Sequence, residues 1–168
     1  MDETTIGLLC LIIRCWMKRG QQKRIQTPGT QKWVHLFGAY NWATDEVITM
    51  RTDQKNTPAF CDFIEFLMTS HSGERPVVIV LDNASYHHSA ASEAMLAYFE
   101  DRSLTFWLPP YCSTLNPIER FWRFLKEKAC SNHLFKSLDE LVDSVFQVLH
   151  LQNTLTHPDR FLYSKTSC

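Results

Sequence analysis

The apolar residues of this chain follow two rhythms. β-Branched and aromatic residues crowd Thr4–Ile13, Trp33–Trp42 and Val47–Arg51, and these runs read as strands. The second and third flank a turn at Ala43–Glu46 and form an antiparallel hairpin, with Gly38 marking a bulge or a close approach. Asn56–His71 changes to helical spacing: Phe60, Phe63, Ile64 and Leu67 share a face, Thr57 is the expected cap, and Pro58 suits the first turn. A turn at Ser72–Arg75 leads to Pro76–Leu81, a continuous apolar run of the kind found in strands buried on both faces. Ser89–Asp101 is a second helix with Met95, Leu96 and Phe99 inward, and Leu104–Leu108 is another strand. A proline-stiffened loop then enters a helix capped by Asn116, with Pro117 at its first position and Glu119 at its third. The last helix, Leu138–Leu151, is capped by Ser137 and turns Leu141, Val142, Val145 and Leu149 to one side. Early strands followed by alternating strand and helix describe an α/β fold, a mixed sheet flanked by helices.

Length adds one constraint: 168 residues suit one domain with a real core, here 1–151, with 152–168 as a tail. Apolar content of 45% and a net charge of −1 provide no whole-protein field that favours nucleic acid or membrane. Charge is uneven locally. Arg14, Lys18, Arg19, Lys23 and Arg24 lie in the stretch 14–30, which reads as a long basic arm broken by Gly20, Pro28 and Gly29. Trp16 within it is either a partner anchor or folded back on the core. Arg120, Arg123, Lys126 and Lys128 form a second basic group. Either group alone also reads as a solvated face. The six cysteines include no Cys-x-x-Cys pair and suit neither zinc nor a disulfide framework; they fit a reducing cytoplasm. Ile6–Ile13 is too short to cross a membrane.

Three acids carry the candidate chemistry. Asp82 ends the buried strand, where ligands sit in α/β folds, although Asp82-Asn83 is also ordinary turn chemistry. Glu119 is fixed one turn inside a helix, where it could equally close a capping box. Asp2 alone reads as a solvated terminal acid. Together, carboxylates from a strand, a strand end and a helix start make an oxygen-rich site for Mg²⁺ or Mn²⁺. Two such ions are the usual device for in-line displacement at phosphorus, and the neighbouring Arg120, Arg123 and Lys126 would hold phosphates.

Leu81-Asp82-Asn83-Ala84 with His87, then Leu108-Pro109-Pro110-Tyr111, Leu115-Asn116-Pro117-Ile118-Glu119 and Trp122 with Leu125-Lys126, resemble the signature of DDE transposases. The likeness is to the bacterial insertion-sequence branch of the mariner superfamily, and 36 residues intervene between Asp82 and Glu119, close to the spacing characteristic there. Asp2-Glu3 resembles that family's first catalytic Asp; Trp16, Lys18, Gly20 and Gln21 resemble its basic arm, and Gly38-Ala39 its second strand. The resemblance implies an RNase H-like fold with a mixed five-stranded sheet. It also implies two divalent metals on Asp2, Asp82 and Glu119, cleavage at transposon ends, and strand transfer into target DNA by a homodimer. A bacterial, cytoplasmic and nucleoid-associated protein is implied too. Asn83 and His87 take supporting roles, with His87 and His88 also readable as surface groups opening a helix.

The pattern departs from the family before Asp2. An N-terminal helix-turn-helix region and the apolar half-strand leading into the first Asp are expected to be absent, so the first strand is expected to be truncated. Two further readings follow: a non-catalytic transposase remnant that only binds DNA or dimerises, and an RNase H-like nuclease that uses water alone.

Overall fold

A computed structural model describes residues 1–9, 11–21, 24, 31–71, 73, 75–110 and 115–155. Its N-terminal half is a three-stranded antiparallel sheet of β1 (Asp2–Gly7), β2 (Trp33–Asn41) and β3 (Glu46–Thr52), in spatial order β1-β2-β3. Asp2 pairs with Gly38 and Gly7 with Trp33, while Asn41 pairs with Glu46 across the hairpin. The hairpin turn uses Asp45 at φ 59, and the Asn41 side chain accepts the Ala43 N–H at 2.9 Å.

Strand alternation divides the core in two. Val34 and Leu36 of β2, with Ile6 of β1, face α3 (Pro117–Cys130) and α4 (Leu138–Thr154). Phe37 points the other way and packs with Phe60, Phe63, Ile64 and Met68 of α1 (Thr57–Ser70). The cap of α1 is Asn56, which accepts the Ala59 N–H at 3.1 Å. The expected cap, Thr57, instead lies 3.1 Å from the Ser89 hydroxyl and ties α1 to α2 (Ala90–Tyr98). Ser137 caps α4 as expected, accepting from the Glu140 N–H, while Ser89, read as the first residue of its helix, proves to be the cap of α2 and accepts from the Ser92 N–H.

The expected five-stranded sheet is corrected to three strands plus two. β4 (Val77–Leu81) and β5 (Ser103–Trp107) form a separate parallel pair. The sheets approach where the Met1 amine donates to the Val80 carbonyl at 2.9 Å. Among the described residues no strand ladder joins β1 to β4 beyond that bond. β4 also departs from its expected burial on both faces. Ile79 and Leu81 are buried against the α1 side, but Val78 is 56% exposed, and Leu104 and Phe106 of β5 share that exposure. β1 is shorter than the expected Thr4–Ile13. Past Gly7 the chain leaves β2 and follows the end of α3, with the Leu11 N–H on the Cys130 carbonyl and the Asn132 N–H on the Leu11 carbonyl. Among the described residues Cys15, Cys61 and Cys130 form no disulfide; Cys10, Cys112, Cys168 and most of the tail lie outside the described residues. Among the described residues no helix is long and apolar enough to cross a membrane.

Gly38 is a close-approach point. A Cβ there would stand under 3.0 Å from the buried Trp122 ring, with Ile118 next to it. α3 therefore lies against the β2 backbone directly across from Asp2. The Trp122 indole N–H is buried without a hydrogen-bond partner among the described residues. An orphaned donor costs roughly 1–3 kcal/mol, so shape, not polarity, holds this ring in place. Gly38→Ala is expected to destabilise the fold by about 1–3 kcal/mol. The expected readout is a lower urea midpoint with unchanged slope. Trp122→Leu in the same chain should restore part of the loss, a coupling of roughly 0.5–3 kcal/mol in a double-mutant cycle.

Candidate active site

Two hydrogen bonds draw together the elements that carry the three acids. The Met1 amine on the Val80 carbonyl brings the start of β1 to the end of β4, so Asp2 stands beside Asp82. The Asn116 side chain, 7% exposed, donates to the Met1 carbonyl at 2.9 Å and ties the start of α3 to the same point. Asn116 is the N-cap residue of α3 as expected, but it makes no side-chain cap bond. Its amide is spent on β1 instead, and only its backbone carbonyl serves the helix, accepting the Glu119 N–H at 3.2 Å. Glu119 does not close a capping box among the described residues. Its carboxylate is half-buried in the first turn, where the helix dipole favours a negative charge.

Alternation sorts the acids by face. Asp2 shares a sheet face with Gly38 and Ile6, hence with α3. Glu3 points to the opposite face and meets His87, which sits in the 3-10 turn Ser85–His88 after β4. His87 Nε2 is 3.1 Å from Glu3 Oε1, and Nδ1 is 3.0 Å from Asp82 Oδ1. The Ala84 N–H also donates to Asp82 Oδ1, at 3.1 Å. Asn83 bonds the Leu108 carbonyl and so holds the loops after β4 and β5 together. His87 is buried at 1% exposure, which removes its reading as a surface group, whereas His88 is exposed and stacks on Trp107.

Electrostatics show the crowding. Burial pushes the Asp2 carboxyl up to about 6, and the charges of Glu3, Glu119 and Asp82 push the same way. The hydrogen bond from His87 holds Asp82 below the usual carboxylate range. For His87 itself burial pulls downward, but the bonds to Asp82 and Glu3 outweigh it and raise the ring to about 9. Burial, then a hydrogen bond to Glu3, holds the Tyr86 phenol well above its ordinary value. Lys126 is half-buried, lowered by burial and by the charge of Lys55, and lies within reach of the Asp2 charge. Arg120, Arg123 and Lys128 are exposed, and the Lys128 ammonium lies over the Phe124 ring.

Asp2, Asp82 and Glu119 offer only oxygen donors, which suits a hard divalent cation. No lysine or arginine pairs with any of them among the described residues, and their mutual repulsion is relieved in part by His87 beside Asp82. The donor chemistry fits a metal, but the oxygens are not gathered around one. Among the described residues no three His, Cys, Asp or Glu side chains are placed to hold an ion together. Two positions escaped sequence reasoning. Glu3 entered only as the neighbour of Asp2, though its odd register in β1 already put it on the opposite face. Asn116 read as a cap, and nothing local announces that its amide reaches Met1.

Comparisons with known proteins bear on the family and the fold. The family model described as DDE superfamily endonuclease matches residues 1–142. The "Insertion element IS630 uncharacterized 39 kDa protein" of Shigella sonnei is 28% identical over 144 residues, which is 86% of this chain and 42% of that protein. The uncharacterized protein y4pE/y4sA of Sinorhizobium fredii is 26% identical over 110 residues, covering 66% of this chain and 78% of its own length. Among solved structures, a Mos1 transposase paired-end complex with the left transposon end matches with a TM-score of 0.69 at 15% identity. It covers 89% of this chain and 46% of that one. A Mos1 mariner paired-end complex with Mn matches with a TM-score of 0.67 at 14% identity and the same coverage. Such identities show a shared fold, the RNase H-like one. The chain spans less than half the length of the insertion-element protein and of these transposase chains. A match over residues 1–142 places it in a family, and the chain belongs to the DDE superfamily endonucleases.

Proposed function

We propose that residues 1–151 are the catalytic domain of a cut-and-paste transposase, with Asp2, Asp82 and Glu119 as its metal-binding and catalytic acids. The supporting observation is the pair of bonds, Met1 to Val80 and Asn116 to Met1, that brings a strand start, a strand end and a helix start to one place. Two Mg²⁺ or Mn²⁺ ions bound there would activate the attacking oxygen and stabilise the leaving one. The residues of the chain do the rest. Asp2 presents its carboxylate from the start of β1 and Asp82 from just past the end of β4, and Glu119 closes the site from α3. Exposed Arg120 and Arg123 take DNA phosphates on the flank of the same helix. The Mos1 complexes are paired-end assemblies on transposon DNA. By analogy, this chain pairs as a homodimer on transposon ends, with the fully exposed Trp16 of the basic arm as an anchor. It works where the DNA is, in the bacterial cytoplasm at the nucleoid.

One observation favours a second reading, a remnant that binds DNA or dimerises without catalysis: the acids are not gathered around a metal. A strand-transfer assay with Mn²⁺ and a pre-cut end of the encoding element separates the two. The catalytic reading expects joined products that Asp82→Ala reduces by roughly 10³-fold or more, about 4 kcal/mol. Equal yield from both proteins, or no product from either, sinks it. Product from water attack without joining would instead point to a hydrolase.

The same assignment has a stability signature. Asp2 holds its proton more tightly folded, at about 6, than at its ordinary value of 3.8. As pH rises through this window the unfolded state gives up its proton first, so the fold loses stability, and the loss is complete above about pH 6. Asp2→Asn removes the charge. In chelator, its Tm is expected to exceed the parent's by a few °C at about pH 7.5 and to match it near pH 4, with each kcal/mol moving Tm by about 2–4 °C at this size. An Asp2 that is solvated would show no difference at either pH.

A further inference from the structure

We propose that Glu3 and His87 form a buried brace that positions Asp82 for metal binding, Glu3 holding the ring and the ring holding Oδ1 of the carboxylate. The inference rests on the reading of Asp82 as a metal ligand. Its basis is the geometry on the far side of the sheet from α3. The Glu3 side chain is 6% exposed and the His87 side chain 2%, while that of Asp82 is 45% exposed. The chain of contacts therefore runs from the interior outward and ends at the site.

Both ring nitrogens of His87 are committed. Nε2 faces Glu3 Oε1 at 3.1 Å, and Nδ1 faces Asp82 Oδ1 at 3.0 Å and the Asp82 carbonyl at 3.2 Å. Packing fixes the ring plane: Phe60 and Tyr86 lie 4.4 and 4.6 Å away between centroids. With the Ala84 N–H also on Oδ1, two donors fix one oxygen and leave Oδ2 to a ligand. A carboxylate on an unrestrained loop would have to stop rotating when a cation arrived. This one is already stopped, which is how supporting hydrogen bonds tune metal sites. Stability alone gives little reason for the device, because a buried ion pair seldom improves on apolar residues of similar volume. Glu3 lies next to Asp2 on β1, so the one strand contributes a ligand to one face and its neighbour's support to the other.

Mn²⁺ binding to the full chain, followed by electron paramagnetic resonance of free Mn²⁺ and by calorimetry, tests the brace without any DNA reaction. His87→Phe keeps the aromatic packing and removes both bonds; Glu3→Gln keeps the shape and weakens one. Each is expected to weaken Mn²⁺ binding by roughly 10–100-fold, and the double variant to bind about as the worse single one, because the two act as a unit. Circular dichroism and Tm report folding, and Glu3→Gln decides the matter if His87→Phe does not fold. A purely structural role would lower Tm and leave the Mn²⁺ affinity of folded protein unchanged, which overturns the proposal. Asp82→Ala separates the two levels. Parent-like Mn²⁺ binding by Asp82→Ala refutes Asp82 as a ligand. Loss there with parent-like binding by both brace variants refutes the brace alone.

Discussion

The close seating of α3 on the β2 backbone at Gly38 governs much of the rest. Trp122 lies where a side chain at 38 would be, and Gly38 is the register partner of Asp2. The helix comes down onto the sheet where no side chain stands in its way, and Asp2 is on the same face. With the helix axis fixed, the first turn of α3 is carried to the strand ends, and the Asn116 bond to the Met1 carbonyl sets its final position. Glu119 arrives near Asp2 as a consequence of packing. A larger residue at 38 would lift the helix and open the site in the same motion, so stability and site geometry share one cause.

Much of the fold was legible in the sequence because its periodicities were strong. The β2–β3 hairpin, the apolar faces of α1 and α4, and the cap Ser137 follow from spacing and turn chemistry. The failures have physical reasons. Thr57 and Asn56 are both good caps, and which one is used depends on Ser89, thirty-odd residues away, taking the Thr57 hydroxyl. Val78 and Val80 read as buried because β-branched apolar runs usually are, yet no described helix covers that face. The run reports what a strand can bury, and only its neighbours decide what it does bury. His87 was ambiguous for the same reason: a histidine two residues into a polar turn is usually solvated, and the Asp82 carboxylate together with Glu3 arriving from β1 makes burial tolerable.

The placement of the three candidate acids was legible to a different degree for each. Asp82 and Glu119 announced themselves by position, one at a strand end and one at a capped helix start. Asp2 did not, because a single acid near Met1 carries almost no positional information. Its placement comes from register. Once β1 pairs with β2 from Asp2 to Gly38, the alternating faces assign Asp2 to α3 and Glu3 to the 3-10 turn. Two adjacent acids that look redundant in sequence thereby serve opposite sides of the sheet.

Charge distribution along α3 and around the acids explains why such a site is tolerated at all. Three carboxylates approach one another without a lysine or arginine between them, and the fold holds Asp2 against its own ionisation. Left alone, that arrangement opposes folding at neutral pH. It persists because the surroundings supply partial relief by other means. The helix dipole favours Glu119, the His87 bond favours ionised Asp82, and Lys126 stands within reach of Asp2 but is itself half-buried and disfavoured as a cation. None of these neutralises the cluster. A nearby arginine would have done so at little structural cost, since Arg120 and Arg123 lie on the same helix, but their side chains are exposed to solvent. A set of acids that stays under-compensated while cations stand one turn away is poised to attract positive charge from outside the chain, and that is the physical content of reading it as a metal site.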